Sequence, residues 1–313
     1  MYNSLQYLRA ISAIAVVYFH LYQTTGQQGV AIFFVISGFI MMDLIDKKHR
    51  KAFDFFKARF FRIAPLYYLL TIVTLFLGIA YEPTLLRLIQ SFSFTALGSI
   101  LPVGYTLTYE FIFYTLVSIS ISIWGGYLNI KLIIFIVLVL IIGDLILNNI
   151  LISRGYEYGN YFIIFIFGML VFYLQKNYKQ NLKRLSTTFI ISIIIMSTSY
   201  LFFGHYIFNF HHNSVNQYAL NNTIPSFFIV LGFLIIESKN KIFNSNLFLL
   251  LGNASYSIYL THYIVIHATD KFITTEYSNF VMLLLCIIIG ILTYRYIELP
   301  MLNYTHKKFL EVK

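Results

Sequence analysis

Charge is scarce in this sequence. Only 11% of its 313 residues are Asp, Glu, Lys or Arg and 59% are hydrophobic, whereas about a quarter of the residues in soluble domains are charged. Water is therefore not the main solvent of the chain. Cysteine is nearly absent too, because the single Cys286 excludes an intramolecular disulfide and a cluster of metal-binding thiolates. No polar stretch is long enough for a separate soluble domain, so we predict one transmembrane domain over residues 1–313.

Long apolar runs take the place of charge, and they recur along the whole chain with 17 to 25 residues each. A helix needs about 20 apolar residues to cross a bilayer, and the runs lack the two-residue alternation of barrel strands. The first run, Leu5 to Leu21, has no basic region before it and is interpreted as a retained helix, not a signal peptide. We predict an all-α, polytopic integral membrane protein with about ten transmembrane helices, at residues 4–22, 29–46, 65–81, 104–123, 131–148, 160–175, 187–204, 222–237, 251–268 and 278–297.

The distribution of basic residues predicts the orientation. Eighteen of the 22 Lys and Arg residues fall in alternate loops on one side of the predicted spans. Arg87, Arg154 and Lys271 fall on the other side, and Arg9 lies within the first span. Because cytoplasmic loops carry the excess of positive charge, both termini are predicted to be cytoplasmic. The net charge of +10 is thereby explained without a nucleic-acid partner.

Residues 50–63 show the pattern of an amphipathic helix. Apolar residues recur at helical spacing, and basic residues occupy the rest of the helix surface: the apolar ones are Phe53, Phe56, Phe60 and Ile63. Such helices lie in the membrane interface. We predict a cytoplasmic interfacial helix that ends near Pro65, where the third span begins.

Two ionisable side chains lie inside the first predicted span, where burial of a charge is costly. Arg9 and His20 are eleven residues apart, so they lie within about 20° of each other around the helix and about 16 Å apart along it. They therefore share a helix face, and one long cofactor could touch both. The alternative is that Arg9 reaches lipid headgroups and His20 is an interfacial histidine with satisfied hydrogen bonds.

A buried carboxylate, Glu110, lies near the start of the fourth predicted span, in the segment GYTLTYEFIFY. Its depth in the membrane is similar to that of His20. A carboxylate beside an imidazole can hold its tautomer and stabilise the imidazolium, as in general acid–base catalysis. A purely structural ion pair remains the alternative for Glu110.

Six segments, in this order along the chain, resemble the acyltransferase-3 family of integral-membrane acyltransferases. They are LQYLRAISAIAVVYFH, GVAIFFVISGF, RFFRIAPLYY, LPVGYTLTYEFIFY, LGNASYSIYLTH and YRYIELP. The resemblance extends over nearly the whole chain. It implies ten or more helices and the transfer of an acyl group from acyl-coenzyme A to an extracytoplasmic acceptor.

The resemblance also implies roles for individual residues. His20 would be the catalytic histidine, Arg9 its partner in binding the acyl donor, and Glu110 an assisting carboxylate. Arg59 and Arg62 match the family's cytoplasmic R-x-x-R pair. Guanidinium groups bind phosphate oxygens in a bidentate manner, which suits the phosphates of coenzyme A. Contact with anionic lipid is the alternative for this pair.

Five further residues are candidates for substrate binding. Tyr105 stands where the family usually has Trp, directly before Thr106, and still offers an aromatic face and a hydroxyl. Ser255, Tyr259 and His262 recur at spacings of four and three and therefore share a helix face that could line a polar channel. A hydrogen-bond network between helices explains the same spacing.

The expected reaction is transfer of an acetyl group from cytoplasmic acetyl-CoA to a sugar hydroxyl of an exopolysaccharide, capsule or O-antigen outside a bacterial cytoplasmic membrane. Membrane lipids are the other expected partners, and the oligomeric state is not predicted. No metal is expected, because the adjacent His211 and His212 have no third ligand near them in sequence. A second candidate is transfer of succinyl or another acyl group.

The rival from another functional class is a transporter or flippase for a lipid-linked glycan, which would also have many helices and few buried charges. Transporters often contain inverted repeats and helices broken near the midplane. Neither feature is clear in this sequence.

Overall fold

The computed structural model describes residues 2–47, 49, 51–80, 83–95, 99–153, 161–208, 215–269 and 278–310. Within these ranges the regular structure is helical throughout, with a 3-10 turn at Pro102–Gly104 and π-helical turns at Tyr294–Glu298 and His306–Leu310. The α-helices are α1 (Asn3–Tyr22), α2 (Gly29–Lys47), α3 (Ala52–Phe76), α4 (Leu85–Ser93), α5 (Tyr105–Trp124), α6 (Ile130–Ser153), α7 (Tyr161–Asn177), α8 (Lys179–Arg184), α9 (Thr187–Phe208), α10 (Val215–Ser238), α11 (Asn246–Asn253), α12 (Ser255–Thr269), α13 (Ser278–Thr293) and α14 (Leu299–Thr305).

The prediction of an all-α, polytopic membrane protein is confirmed. Each of the ten predicted spans overlaps a helix. The ninth is divided at Ala254 between α11 and α12, and α7 has only 17 residues. The number of ten spans and the cytoplasmic termini stay predictions. Within the described ranges, seven helical stretches are long and apolar enough to cross a membrane: Asn3–Tyr22, Gly29–Lys47, Ala52–Phe76, Pro102–Trp124, Thr187–Gly204, Asn221–Ser238 and Asn279–Lys308.

The predicted interfacial helix at 50–63 is not a separate element. It forms the first half of α3, and Pro65 lies inside that helix instead of ending it. The aromatic side of this half packs on another helix, since the ring of Phe56 lies 5.5 Å from that of Phe111 in α5. Packing against neighbouring helices lets a membrane helix tolerate proline. The prediction erred because proline biases the residue before it without requiring a break.

Glycines set how closely other helices approach α1. A Cβ on Gly252 of α11 would lie 2.2 Å from the carbonyl oxygen of Gln6. A Cβ on Gly29, at the start of α2, would lie 2.6 Å from that of Ser12. Small residues at such contacts allow the van der Waals packing that holds membrane helices together. The two ionisable residues of α1 are therefore held in fixed relation to α2 and α11.

The pair α2 and α7 is joined in the same way. A Cβ on Gly38 would lie 2.2 Å from the carbonyl oxygen of Phe165, and one on Gly168 would lie 2.2 Å from that of Val35. Neither position tolerates a side chain without separating the backbones. Gly38, in the segment GVAIFFVISGF, therefore serves close helix packing.

Glu237 of α10 caps the first turn of α1. Its carboxylate accepts hydrogen bonds from the backbone N–H groups of Asn3, at 2.8 Å, and Ser4, at 3.3 Å. The hydroxyl of Ser4 donates to the same carboxylate. A negative charge at a helix N-terminus satisfies free N–H groups and interacts favourably with the helix dipole. This cap ties the start of α1 to α10.

Candidate active site

Three predicted donor-binding arginines converge on one cavity between α1, α2, α3, α5 and α12. We call it the arginine cavity, defined by Arg9, Arg59 and Arg62, and it encloses about 130 Å³. Its other polar lining residues come from α2, α5 and α12: Ser37, Thr106, Glu110, Tyr114, Ser255, Tyr256 and Tyr259. Residues far apart in the sequence are thus gathered at one place.

Arg62 forms a buried ion pair that the sequence did not predict. Its Nη1 lies 2.5 Å from a carboxylate oxygen of Glu298, whose other oxygen accepts a hydrogen bond of 2.6 Å from Ser257. The side chain of Glu298 is 2% exposed and that of Arg62 is 29% exposed. Glu298 belongs to the YRYIELP segment, which carried the family resemblance but was given no role. The pair holds the guanidinium at the cavity while further N–H donors remain for a ligand.

Arg9 and Arg59 complete the positive side of this cavity. Two carboxylates lie at the same place: Glu110 lines the cavity, and Glu298 is paired with Arg62. With three guanidinium groups against these two carboxylates, the cavity keeps an excess of positive charge. An excess of this kind favours an anionic ligand such as a phosphate.

Glu110 is not brought beside His20. Ser37 donates to its Oε1 at 2.5 Å, and the hydroxyl of Tyr114 donates to the same oxygen. Both partners line the arginine cavity, whereas His20 lines another. The expected carboxylate–imidazole pair is therefore not seen among the described contacts. The predicted depth was wrong as well. Ser37, the partner of Glu110, follows Gly29 on α2 by eight residues, and Gly29 already lies against Ser12 of α1, so Glu110 lies well below the level of His20.

Of the five candidate substrate-binding residues, three line the arginine cavity, whereas Tyr105 and His262 line neither described cavity. Thr106 and Tyr259 share a hydrogen bond of 2.9 Å between their hydroxyls, and Tyr259 lies 3.1 Å from the carbonyl oxygen of Val103. Ser255 also lines the arginine cavity, and its hydroxyl is buried without a partner in the described structure. Tyr105 begins α5 with its ring 6.3 Å from that of Tyr161 and does not line either described cavity.

His20 lines a second cavity at the other end of α1. We call it the histidine cavity, defined by His20 and His267, and it encloses about 390 Å³. The imidazole of His267 stacks on Tyr263, with ring centroids 3.9 Å apart. Two amides close the end of α1, since Gln23 donates to the carbonyl oxygen of His20 at 3.1 Å and Asn279 donates to that of Leu21 at 3.4 Å.

His262 lies between the two cavities. Its ring centroid is 4.9 Å from that of His20 and 5.8 Å from that of Tyr259. It is 0% exposed. Neither ring nitrogen has a hydrogen-bond partner in the described structure. The three rings therefore form a continuous series from the arginine cavity to the histidine cavity.

Comparison with known protein families decides the class of this site. A family model described as an acyltransferase domain matches residues 2–295. The chain belongs to the acyltransferase-3 family. It is thus a multi-pass membrane acyltransferase, and the resemblance carried by the six segments is confirmed. Neither the comparison with curated proteins nor that with solved structures gave a match.

Metal ligands are not grouped in the part of the chain that the structure describes, where no cluster of three His, Cys, Asp or Glu residues occurs. His211 and His212 lie outside the described residues.

Proposed function

We propose that this acyltransferase moves an acetyl group from cytoplasmic acetyl-CoA to a sugar hydroxyl of an extracytoplasmic glycan: an exopolysaccharide, capsule or O-antigen. The observation that supports this most is the placement of three arginines and one histidine in two separate cavities along α1. An enzyme with its activated donor on one side of a membrane and its acceptor on the other needs such a pair of sites.

The donor would bind in the arginine cavity. Coenzyme A carries several phosphate charges, and Arg9, Arg59 and Arg62 line this cavity together. The rise of α1 between Arg9 and His20 is about 16 Å. A flexible pantetheine arm spans that distance, so its thioester can lie near the imidazole while its phosphates stay with the arginines.

The chemistry would take place at His20. Its imidazole removes the proton from a sugar hydroxyl that enters through the histidine cavity, and the sugar oxygen attacks the thioester carbonyl. A carbon–oxygen bond forms, the carbon–sulfur bond breaks, and the proton on His20 passes to the coenzyme A thiolate. An acetyl-imidazole formed first on His20 would lead to the same products.

Glu110 would assist from the arginine cavity. Its bonds to Ser37 and Tyr114 order one wall of that cavity. A carboxylate so placed would help to position the donor-binding arginines and the donor. Its effect on the imidazole of His20 would be indirect.

The test is the O-acetyl content of the surface glycan in a deletion strain, measured by NMR of the purified polysaccharide. The strain is complemented with wild type, His20→Ala or the control His49→Ala at matched membrane expression. His49 is an exposed histidine outside both cavities. Acetyl groups restored by wild type and His49→Ala, but not by His20→Ala, with polymer export intact throughout, would support the proposal.

A different result would support the rival function, transport of a lipid-linked glycan. If the deletion strain keeps its acetyl groups but loses polymer export, the protein transports a lipid-linked glycan and the proposed reaction is wrong. The acyl group is tested separately by supplying purified protein with acetyl-CoA or succinyl-CoA and measuring free coenzyme A. We expect turnover with acetyl-CoA, and turnover only with succinyl-CoA would contradict the assignment of the donor.

A further inference from the structure

His262 is a buried imidazole whose ring nitrogens, Nδ1 and Nε2, have no hydrogen-bond partner in the described structure. It is 0% exposed. A neutral imidazole always carries one N–H donor and one acceptor nitrogen. Leaving both unpaired in an apolar surrounding costs free energy that a leucine or phenylalanine there would avoid. The backbone carbonyl groups of Ile258 and Tyr259, one turn earlier, interact with the ring but do not meet the geometry of a hydrogen bond.

The backbone of the turn that carries His262 packs beside an apolar cluster. The backbone carbonyl of His262 lies 4.0 Å from the thiol of Cys286 in α13, and Cys286 is itself buried among apolar residues of α1, α11, α12 and α13. Two aromatic neighbours of the ring are candidate functional residues, His20 and Tyr259.

His262 lies between one residue of each cavity. Tyr259 lines the arginine cavity, and His20 lines the histidine cavity. A thioester that reaches His20 from the first cavity comes close to the ring of His262, whose centroid lies 4.9 Å from that of His20. Its acyl carbonyl would then be an acceptor for the unpaired N–H.

We propose that His262 donates its N–H to the acyl carbonyl oxygen during transfer and stabilises the negative charge that develops there. This inference rests on the proposed function. When the deprotonated sugar oxygen forms its bond to the carbonyl carbon, the electron pair of the C=O bond moves onto the oxygen held by His262. The pair returns as the carbon–sulfur bond breaks, and coenzyme A leaves with the proton carried by His20.

The two adjacent imidazoles would thus have different roles in the reaction. The ring of His20 accepts the proton of the hydroxyl and so needs a free nitrogen lone pair. The ring of His262 keeps its proton and acts as a fixed donor, and a donor of this kind is most effective in a site that excludes water. Its complete burial fits that role better than a role as base, because a buried base would have to become charged.

The test compares His262→Phe, His262→Gln and the control Cys286→Ala in the purified full-length protein in lipid nanodiscs. Phenylalanine fills the ring's space without a donor, and glutamine keeps an N–H. Cys286→Ala changes the packing on the backbone of the same turn and removes no group of the two cavities. The substrates are acetyl-CoA and polysaccharide purified from the deletion strain, and the products are O-acetyl groups, measured by NMR, and free coenzyme A.

We expect kcat to fall roughly 100- to 1,000-fold in His262→Phe, as for loss of one donor to an oxyanion, with the KM for acetyl-CoA unchanged. His262→Gln should recover part of that loss, and Cys286→Ala should behave as wild type. Thermal unfolding with and without acetyl-CoA reports whether each variant folds and binds the donor. Because glutamine is smaller and polar, it gives a second reading of kcat if the phenylalanine variant does not fold.

The inference is overturned if folded His262→Phe keeps the wild-type kcat, or if it raises only the KM. It is also overturned if His262→Gln loses as much activity as His262→Phe while both bind acetyl-CoA, because then the ring and not its N–H is required. Failure of the proposed function looks different. In that case the wild-type protein itself transfers no acetyl group to the polysaccharide.

Discussion

The arginine cavity and the histidine cavity lie at opposite ends of α1 and differ in charge. The first has three arginines and Glu110 in its lining, with Glu298 paired to Arg62 behind them. The lining residues described for the second include no Asp, Glu, Lys or Arg: they are His20, Leu21, Gln23, Tyr263, Ile266, His267 and Asn279. A polyanionic donor suits the first cavity, and a hydroxyl compound without charge suits the second.

The charged groups of the arginine cavity also differ from the imidazole between the two cavities in how they are satisfied. In the arginine cavity, Arg62 and Glu110 each have a side-chain partner, although the hydroxyl of Ser255 has none in the described structure. The imidazole of His262, which lines neither cavity, has no hydrogen-bond partner there. Paired charges order a binding site before the ligand arrives, whereas an unpaired donor is available to a reacting atom. The difference therefore separates donor binding from chemistry, and substitutions can test that separation.

The largest effect is expected at His20. His20→Gln should lower kcat roughly 100- to 10,000-fold, the range for loss of a general base, and leave the KM for acetyl-CoA unchanged. Turnover of purified protein with acetyl-CoA and acceptor polysaccharide measures both constants. The control is His49→Gln, an exposed histidine that should behave as wild type. A rise in the KM for acetyl-CoA with an unchanged kcat would mean that His20 binds the donor and is not the general base, which would contradict this account.

The next effect is a loss of stability in the arginine cavity. Glu298→Ala leaves the guanidinium of Arg62 without its 2.5 Å partner and removes the acceptor of Ser257. Breaking a buried ion pair costs roughly 3–5 kcal/mol, and we expect about 3 kcal/mol because Arg62 is 29% exposed. Denaturant unfolding in detergent measures the free energy of unfolding of the variant and of the wild type.

The matched control for that loss is the double variant Arg62→Met with Glu298→Met. Removing both charges leaves no unpaired ion, so most of the stability should return. Equal losses in the single and double variants would show that packing, not the ion pair, stabilises this part of the molecule.

A smaller effect is expected at Glu110. Since its partners are Ser37 and Tyr114 and not His20, Glu110→Gln should change kcat less than about tenfold, which corresponds to about 1.4 kcal/mol. The amide still accepts a hydrogen bond from either hydroxyl. Parallel turnover assays of Glu110→Gln and His20→Gln make the comparison. A loss as large as that of His20→Gln would mean that the carboxylate acts directly on the imidazole.

The sequence predicted the helices and the family well but the neighbours of the site residues poorly. Apolar runs and the spacing of Arg9 and His20 depend on one helix at a time, so they could be read locally. The pairing of Arg62 with Glu298 joins residues 236 positions apart, and no helix periodicity indicates it. The position of Glu110, in depth and in direction, depends on how α5 packs against α2. The continuity of α3 through Pro65 depends on packing against α5.

The most direct test of a donor cavity separate from the reaction centre compares acetyl-CoA with acetylpantetheine, which lacks the nucleotide phosphates. Arg59→Gln and His20→Gln are assayed with both donors, with Lys241→Gln, an exposed basic residue, as control. Arg59→Gln should raise the KM for acetyl-CoA about tenfold, as for loss of a hydrogen bond to a charged group, and leave acetylpantetheine unaffected. His20→Gln should lower kcat for both donors alike. Equal effects of Arg59→Gln on the two donors would contradict the account.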